Sequence, residues 1–115
     1  MFDDVASAAI RVALDGLAMR QRAIAKNIAN IDTPGYRARK VLFEAALAQA
    51  IADGRSPYTV RPVEARSLEP TRLNGNNVNL DQETLSNIDT GLRYQLALRA
   101  LDSRYDTLRS VIRGQ

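Results

Sequence analysis

The chain has 115 residues, enough for one hydrophobic core and too few for two of ordinary size. It has no cysteine and no histidine, which removes disulfides, thiolate and imidazole metal sites, and every general-base mechanism that runs through an imidazole. The formal charge of +3 does not mark a nucleic-acid binder, because Lys and Arg alternate with Asp and Glu along both helical segments and the only dense basic cluster is Arg37, Arg39 and Lys40.

Aromatic residues make up 5% of the chain and tryptophan is absent, so alanine, leucine and isoleucine must do the packing. Helices meeting along narrow seams suit that composition. The N-terminus, Met1-Phe2-Asp3-Asp4, is acidic where a secretory signal needs positive charge, so no cleaved signal peptide is expected. No apolar run reaches the roughly 18 residues of a membrane span. Glu44, Glu64 and Glu69 fall on weakly patterned stretches and read as solvated, so neither an enzyme nor a cofactor is expected.

The first predicted element is a helix over 3–31, capped by Asp3 or Asp4, with Arg20, Arg22 and Lys26 toward its negative end. Ile10, Leu14, Leu17, Gln21, Ile24, Ile28 and Ile31 recur at alternating steps of four and three, the spacing of a coiled-coil seam broken only by Gln21. Gly16 is a weak point in that helix, costing about 1 kcal/mol relative to alanine. Thr33 precedes a proline and so resists helical geometry, and Pro34-Gly35 suits a type II turn, which predicts a turn over 32–37. Asn27 and Asn30 lie in the last helical turn, where asparagine caps or bonds nearby backbone.

A short alanine-rich helix is expected over 41–53, stopped by Asp53-Gly54. Residues 54–80 hold Pro57, Pro62 and Pro70 and read as extended and mobile, with room for a short hairpin or edge strands. Leu73-Asn74-Gly75-Asn76-Asn77 is turn chemistry. A second long helix follows over 81–113, with Asp81 as its expected cap in preference to Asn79, since that places Leu80 and Leu85 as a hydrophobic staple. Along it Leu98, Leu101, Tyr105, Leu108 and Ile112 keep the three-four spacing, while Leu85, Ile88 and Leu92 keep it in a shifted frame. The expectation is one mainly α domain, 1–115, whose terminal helices pair as an antiparallel coiled coil around a short helix and an extended or small β segment.

The stretch Asn27-Ile28-Ala29-Asn30-Ile31-Asp32-Thr33-Pro34-Gly35-Tyr36-Arg37 resembles the N-terminal signature of the bacterial flagellar axial proteins, the rod, hook and hook-associated subunits. Leu73-Asn74-Gly75-Asn76-Asn77-Val78-Asn79-Leu80-Asp81-Gln82-Glu83 resembles the segment before the C-terminal helix in proximal rod proteins of that group. The resemblance covers roughly residues 10–44 and 73–113 and leaves the middle, which is short here, unmatched.

The resemblance implies a structural subunit of the proximal rod in the flagellar basal body. It would link the membrane-embedded MS ring and its adaptor to the rest of the rod, transmit torque, pack against copies of itself and other rod proteins, and pass unfolded through the type III export apparatus. It assigns Asn27, Asn30, Asp32, Thr33, Pro34, Gly35 and Tyr36 to one family turn and Gly75, Asn76, Val78, Leu80, Asp81 and Glu83 to a second motif, none of them catalytic, with Tyr36 set against an adjacent helix. A freestanding coiled-coil adaptor would explain the heptads but leave the Thr33-Pro34-Gly35-Tyr36 turn without a purpose, and another axial subunit would explain that turn but fits the Gly75–Glu83 stretch less well.

Overall fold

The computed structural model describes residues 4–113, the side chain of Leu108 excepted. Helix α1 spans Val5–Ala29, strand β1 Arg39–Leu42, helix α2 Glu44–Ala52, a 3-10 turn Pro57–Thr59, strand β2 Val63–Arg66 and helix α3 Leu80–Ile112. The two long helices run antiparallel along a body of 64 × 27 × 15 Å. The expected mainly α fold with a small β segment is borne out.

Helix α1 begins where Asp4, in extended geometry, accepts the Ser7 backbone N–H at 2.7 Å. That bond, with the Ser7 hydroxyl and Arg104, holds the Asp4 carboxyl below the usual carboxylate range. Asp3 lies outside the described residues. The helix stops at Ala29, and Asn30 folds back, its Nδ2 donating to the Lys26 carbonyl at 2.8 Å. Tyr36 N–H then closes on the Thr33 carbonyl at 3.2 Å, and Gly35 takes φ +76°. A positive φ at that position is what a type II turn demands.

Helix α1 is covered on two sides, by α3 and by the layer of β1, α2 and the 3-10 turn. Its buried residues are therefore Ser7, Ala8, Val12, Gly16, Leu17, Ala23, Ile24 and Asn27, a face too broad for one heptad seam. Of the expected seam only Leu17 and Ile24 are fully buried; Ile10, Leu14, Gln21, Ile28 and Ile31 are half-buried. The core joins Val12, Leu17 and Ala23 to Val41, Phe43, Leu47, Ala50 and Val60.

Gly16 acquires a reason in this packing. A Cβ built on it would lie 2.5 Å from the Phe43 ring, so the helix omits a side chain to seat the largest core residue of the second layer. Arg20, one turn on, places its guanidinium 5.1 Å from the centre of that ring, donates to both Glu44 carboxylate oxygens at 2.6 and 2.7 Å, and to the Val41 carbonyl at 2.7 Å. Glu44 is thus a structural partner, its carboxyl held below its ordinary range by the arginine, and not merely solvated.

Two expectations are corrected, and a third, the room left for edge strands over 54–80, is filled. The short helix predicted over 41–53 starts only at Glu44, because Val41 and Leu42 pair as a strand with Glu64 and Val63 in an antiparallel ladder. The 54–80 stretch carries a 3-10 turn, with Pro57 at a first-turn position that needs no N–H, and strand β2 between Pro62 and Pro70. The cap of α3 is Asn79, whose Oδ1 accepts Gln82 N–H at 3.1 Å, and not Asp81. Leu80 and Leu85 are exposed and form no staple; the residue ahead of the cap is Val78, only 1% exposed, and its burial anchors the helix start instead.

Replacing Gly16 by alanine should therefore lower stability by about 1–3 kcal/mol in chemical denaturation, despite alanine's higher helix propensity. Combining it with Phe43→Leu should recover part of the loss relative to the sum of the two single changes.

Candidate functional site

The two motif stretches meet at one polar junction. Asn27 is fully buried in the last turn of α1 and every hydrogen-bonding capacity of its amide is used. Its Nδ2 donates to the Arg39 carbonyl at 3.0 Å and to Glu83 at 3.1 Å; its Oδ1 accepts Arg39 N–H at 2.9 Å and the Tyr36 hydroxyl at 3.1 Å. The amide thus pairs with Arg39 as a neighbouring strand would. Burial raises the Tyr36 pKa, keeping the phenol a neutral donor.

Asn76, also fully buried, does the same for the helix stop. Its Nδ2 donates to the carbonyls of Asn30 and Thr33, both at 2.8 Å, and its Oδ1 accepts from Val78 N–H and Arg72. Arg72 adds bonds to the Ile31 and Val78 carbonyls at 2.6 Å each. Carbonyls of the turn that follows α1 thus take donors from a segment more than forty residues away, those of Asn30 and Thr33 in addition to the local N–H groups of Thr33 and Tyr36. Gly35 N–H bonds the Asn74 carbonyl at 2.8 Å, and a Cβ on Gly75, itself at φ +82°, would come within 3.3 Å of Gly35 Cα. Asn77 completes the junction: Ala38 N–H donates to its Oδ1 at 2.7 Å and its Nδ2 reaches the Ser67 and Glu69 carbonyls.

Of the motif residues, Asn27, Asn30, Thr33, Gly35, Tyr36, Gly75, Asn76, Val78 and Glu83 come together here. Asp32, Pro34, Leu80 and Asp81 are exposed. Arg72 and Asn77 were not singled out by sequence; Asn77 stood inside the turn run, and Arg72 carries no periodic or turn signal. Lys40 and the half-buried Glu83 border a cleft of about 280 Å³ beside this junction. Burial raises the Glu83 pKa, against the opposing pull of the Asn27 hydrogen bond and the Lys40 charge.

The second feature is the polarity of α3. At about 100° per residue, Glu83, Thr90, Tyr94, Ala97, Leu101 and Arg104 share one face, and all are buried or half-buried against the rest of the chain. Leu85, Ile88, Leu92 and Leu96 share the opposite face and are 56–70% exposed. Leu98 and Ile112 of the expected seam are exposed as well. Leu101 and Tyr105 are half-buried, the latter under the Arg11 guanidinium at 5.5 Å, and the Leu108 side chain lies outside the described residues. Thr90 is fully buried with its hydroxyl unbonded. At the far end Arg104 reaches Ser7 Oγ at 3.1 Å and the Asp4 carboxylate.

Residues 10–37, which run from α1 through the helix stop, match the family described as flagella basal body rod protein. The flagellar basal body rod protein FlgB of Escherichia coli (strain K12) is 32% identical over 134 aligned positions, covering 96% of this chain and 97% of the relative. Its counterpart in Bacillus subtilis (strain 168) is 30% identical, covering 89% of this chain and 88% of its own length. That of Cereibacter sphaeroides is 34% identical over 84% of each.

The chain belongs to the FlgB family of flagellar basal body rod proteins. A FlgB-family chain is a structural rod subunit of the basal body that assembles with other rod components. The 134 aligned positions exceed the 115 residues present here, so the E. coli FlgB carries insertions that this chain lacks. The junction described above does not depend on them. No group of side chains suited to a metal ion occurs among the described residues, and no described helix is long and apolar enough to cross a membrane.

Removing the Asn27 amide strands Arg39 N–H and C=O, the Tyr36 hydroxyl and Glu83 together, so Asn27→Ala should cost about 2–4 kcal/mol in denaturant unfolding. Thr90→Val should stabilise by about 1 kcal/mol in the same assay, since it removes an unbonded buried hydroxyl at nearly constant shape. Glu83 has a folded pKa above its unfolded one, so its contribution is full below the unfolded pKa and is lost as pH rises through the folded pKa. Glu83→Gln keeps an acceptor for Asn27 and should melt higher than the parent at neutral pH. Melting curves across pH should show that gap closing below about pH 4.

Proposed function

We propose that this chain is a proximal-rod subunit that joins the MS ring and its adaptor to the remainder of the rod and carries torque between them. Its residues 1–115 act as a single rod-type unit with no catalytic activity, exported through the flagellar type III apparatus. The observation that carries the reading is the arrangement of α3. Glu83, Thr90, Tyr94, Ala97, Leu101 and Arg104 face its own chain, whereas Leu85, Ile88, Leu92 and Leu96 face outward as a ready strip for other subunits.

A torque-bearing part needs a stiff frame as well as a sticky surface. The asparagine junction supports that half of the reading. It ties the end of α1, the sheet and the start of α3 through bonds that are individually modest but geometrically demanding, so the two long helices cannot change their relative angle without stranding buried amides. The matched family turn, Asn27 through Tyr36, and the second motif, Gly75 through Glu83, then have the shared role of setting that angle. The seam residues Leu17 and Ile24 serve the chain's own core, and the exposed residues Leu98 and Ile112 belong with the outward surface.

Leu85→Lys combined with Leu92→Lys tests this. Both side chains point away from the chain, so the double variant should keep the parent's circular dichroism and melting temperature while failing to restore swimming to a deletion strain. Basal bodies isolated from that strain should hold the MS ring without a rod. Normal motility with the double variant, or a fractionated parent protein absent from basal bodies, would sink the proposal.

A further inference from the structure

The 72–79 turn carries a chemistry of its own. Asn74 precedes Gly75, whereas every other asparagine of the chain precedes isoleucine, asparagine, valine or leucine. The backbone nitrogen that follows an asparagine can attack the side-chain amide carbon, and a bulky or branched neighbour hinders that approach. Glycine has no Cβ, so it leaves the path open and reaches the backbone angles that the attack needs. Asn74 is exposed, so water reaches whatever forms there.

In the fold both reacting groups are engaged elsewhere. Gly75 N–H donates to the Arg72 carbonyl at 2.9 Å, and Asn74 Oδ1 accepts Asn76 N–H at 3.1 Å. The Asn74 carbonyl between them accepts Gly35 N–H at 2.8 Å, and Gly75 is held at φ +82°. The clamp leaves neither group free to turn onto the other, and attack needs close, aligned approach. Arg72 and Asn76 are themselves tied to the carbonyls of Asn30, Ile31 and Thr33, so freeing Asn74 and Gly75 means opening the junction. We infer that Asn74 is a site of spontaneous deamidation governed by folding, closed in the native chain and open in the unfolded one.

Water is the one reagent the step consumes. Gly75 nitrogen, its proton lost to solvent base, bonds to Asn74 Cγ; the Cγ–Nδ2 bond breaks, and ammonia leaves with a proton taken from water. Water then opens the cyclic imide. Cleavage of the new Cγ–N bond gives aspartate, and cleavage of the original backbone bond gives isoaspartate, whose main chain runs through Cβ and Cγ. Isoaspartate adds a methylene to the backbone and turns the carbonyl that accepted Gly35 N–H into a pendant carboxylate. It does so where even a Cβ on Gly75 would lie 3.3 Å from Gly35 Cα. An isoaspartate chain therefore cannot rebuild the corner, and time spent unfolded is recorded in the covalent backbone. The site stands apart from the rod-subunit assignment and does not rest on it.

The purified full chain, held in mildly alkaline buffer with or without guanidinium chloride, tests this. The peptide containing Asn74 is followed by mass spectrometry, and isoaspartate is identified by labelling with an isoaspartyl methyltransferase. In denaturant Asn74 should convert several-fold faster than any other asparagine, and in native buffer several-fold more slowly than in denaturant. Gly75→Ala, which need not fold for this measurement, should slow the denatured reaction several-fold. The isoaspartate chain, isolated and returned to native buffer, should melt well below the parent, whereas Asn74→Asp, which brings the same charge on an unaltered backbone, should melt close to it. Equal rates in the two buffers, or conversion at Asn74 no faster than at the other asparagines or undiminished by Gly75→Ala, would overturn the inference. So would an isoaspartate chain that melts like the parent, or an Asn74→Asp chain that melts as low as the isoaspartate one.

Discussion

The structure turns on a buried amide that cannot be left unpaired. Asn27 sits at zero exposure where α1 ends, and its four bonds reach three other parts of the chain: the turn through Tyr36, strand β1 through Arg39, and helix α3 through Glu83. An amide in that position is costly unless every partner is present, so the partners' positions are jointly fixed. The side of β1 away from β2 is closed by side chains, Asn27 against Arg39 and Arg20 against the Val41 carbonyl. A two-stranded ladder of four residues a strand, marginal by itself, is thereby held against a helix.

Asn76 and Arg72 extend the same logic to the backbone beyond the helix. Most helix ends are finished locally or by water. Here the carbonyls of Asn30, Ile31 and Thr33 also take donors from Arg72 and Asn76, so the helix stop and the 72–79 turn form one object. A chain poor in aromatic residues has few large apolar anchors with which to fix such a corner, and a hydrogen-bonded corner supplies direction where apolar packing would supply only proximity. The close approach of Gly35 and Gly75 follows from this, since a side chain on Gly75 would press on the facing backbone.

Much of this was legible in the chain itself. Thr33-Pro34-Gly35 announced the helix stop, and the structure has the positive φ at Gly35 that the turn requires. Asn27 and Asn30 stood out as asparagines in a last helical turn. Tyr36 was set against a helix by resemblance alone; it proves to bond the end of α1. What could not be read was partnership at long range. Gly16 looked like a propensity defect because its reason, Phe43, arrives in the next layer; Glu44 looked solvated because Arg20 is 24 residues away. Asp81 reads as the better cap because Leu80 and Leu85 then fall at staple positions, yet both leucines face outward. Periodicity reports that a helix has an apolar stripe, but not whether its own chain covers it.

That last ambiguity has a physical resolution in α3. Turning this helix half a revolution about its axis would bury Leu85, Ile88, Leu92 and Leu96 and release the unbonded Thr90 hydroxyl, but it would also expose Tyr94, Ala97 and Leu101, which are half-buried against the rest of the chain. The same rotation would take Glu83 from Asn27 at one end and Arg104 from Ser7 and Asp4 at the other. The exposed pair with Asp4 is worth little alone, so the stronger restraint is at the Asn27 end, where losing Glu83 strands an amide proton in the buried hub. Rotation of α3 is thus set by Tyr94, Ala97 and Leu101 packed against the chain and by polar contacts near its two ends, while four leucine and isoleucine side chains on the other face stay exposed. In a solitary protein that balance would be a flaw. In a family of rod subunits it keeps the apolar ridge on the outside, where a neighbour can reach it.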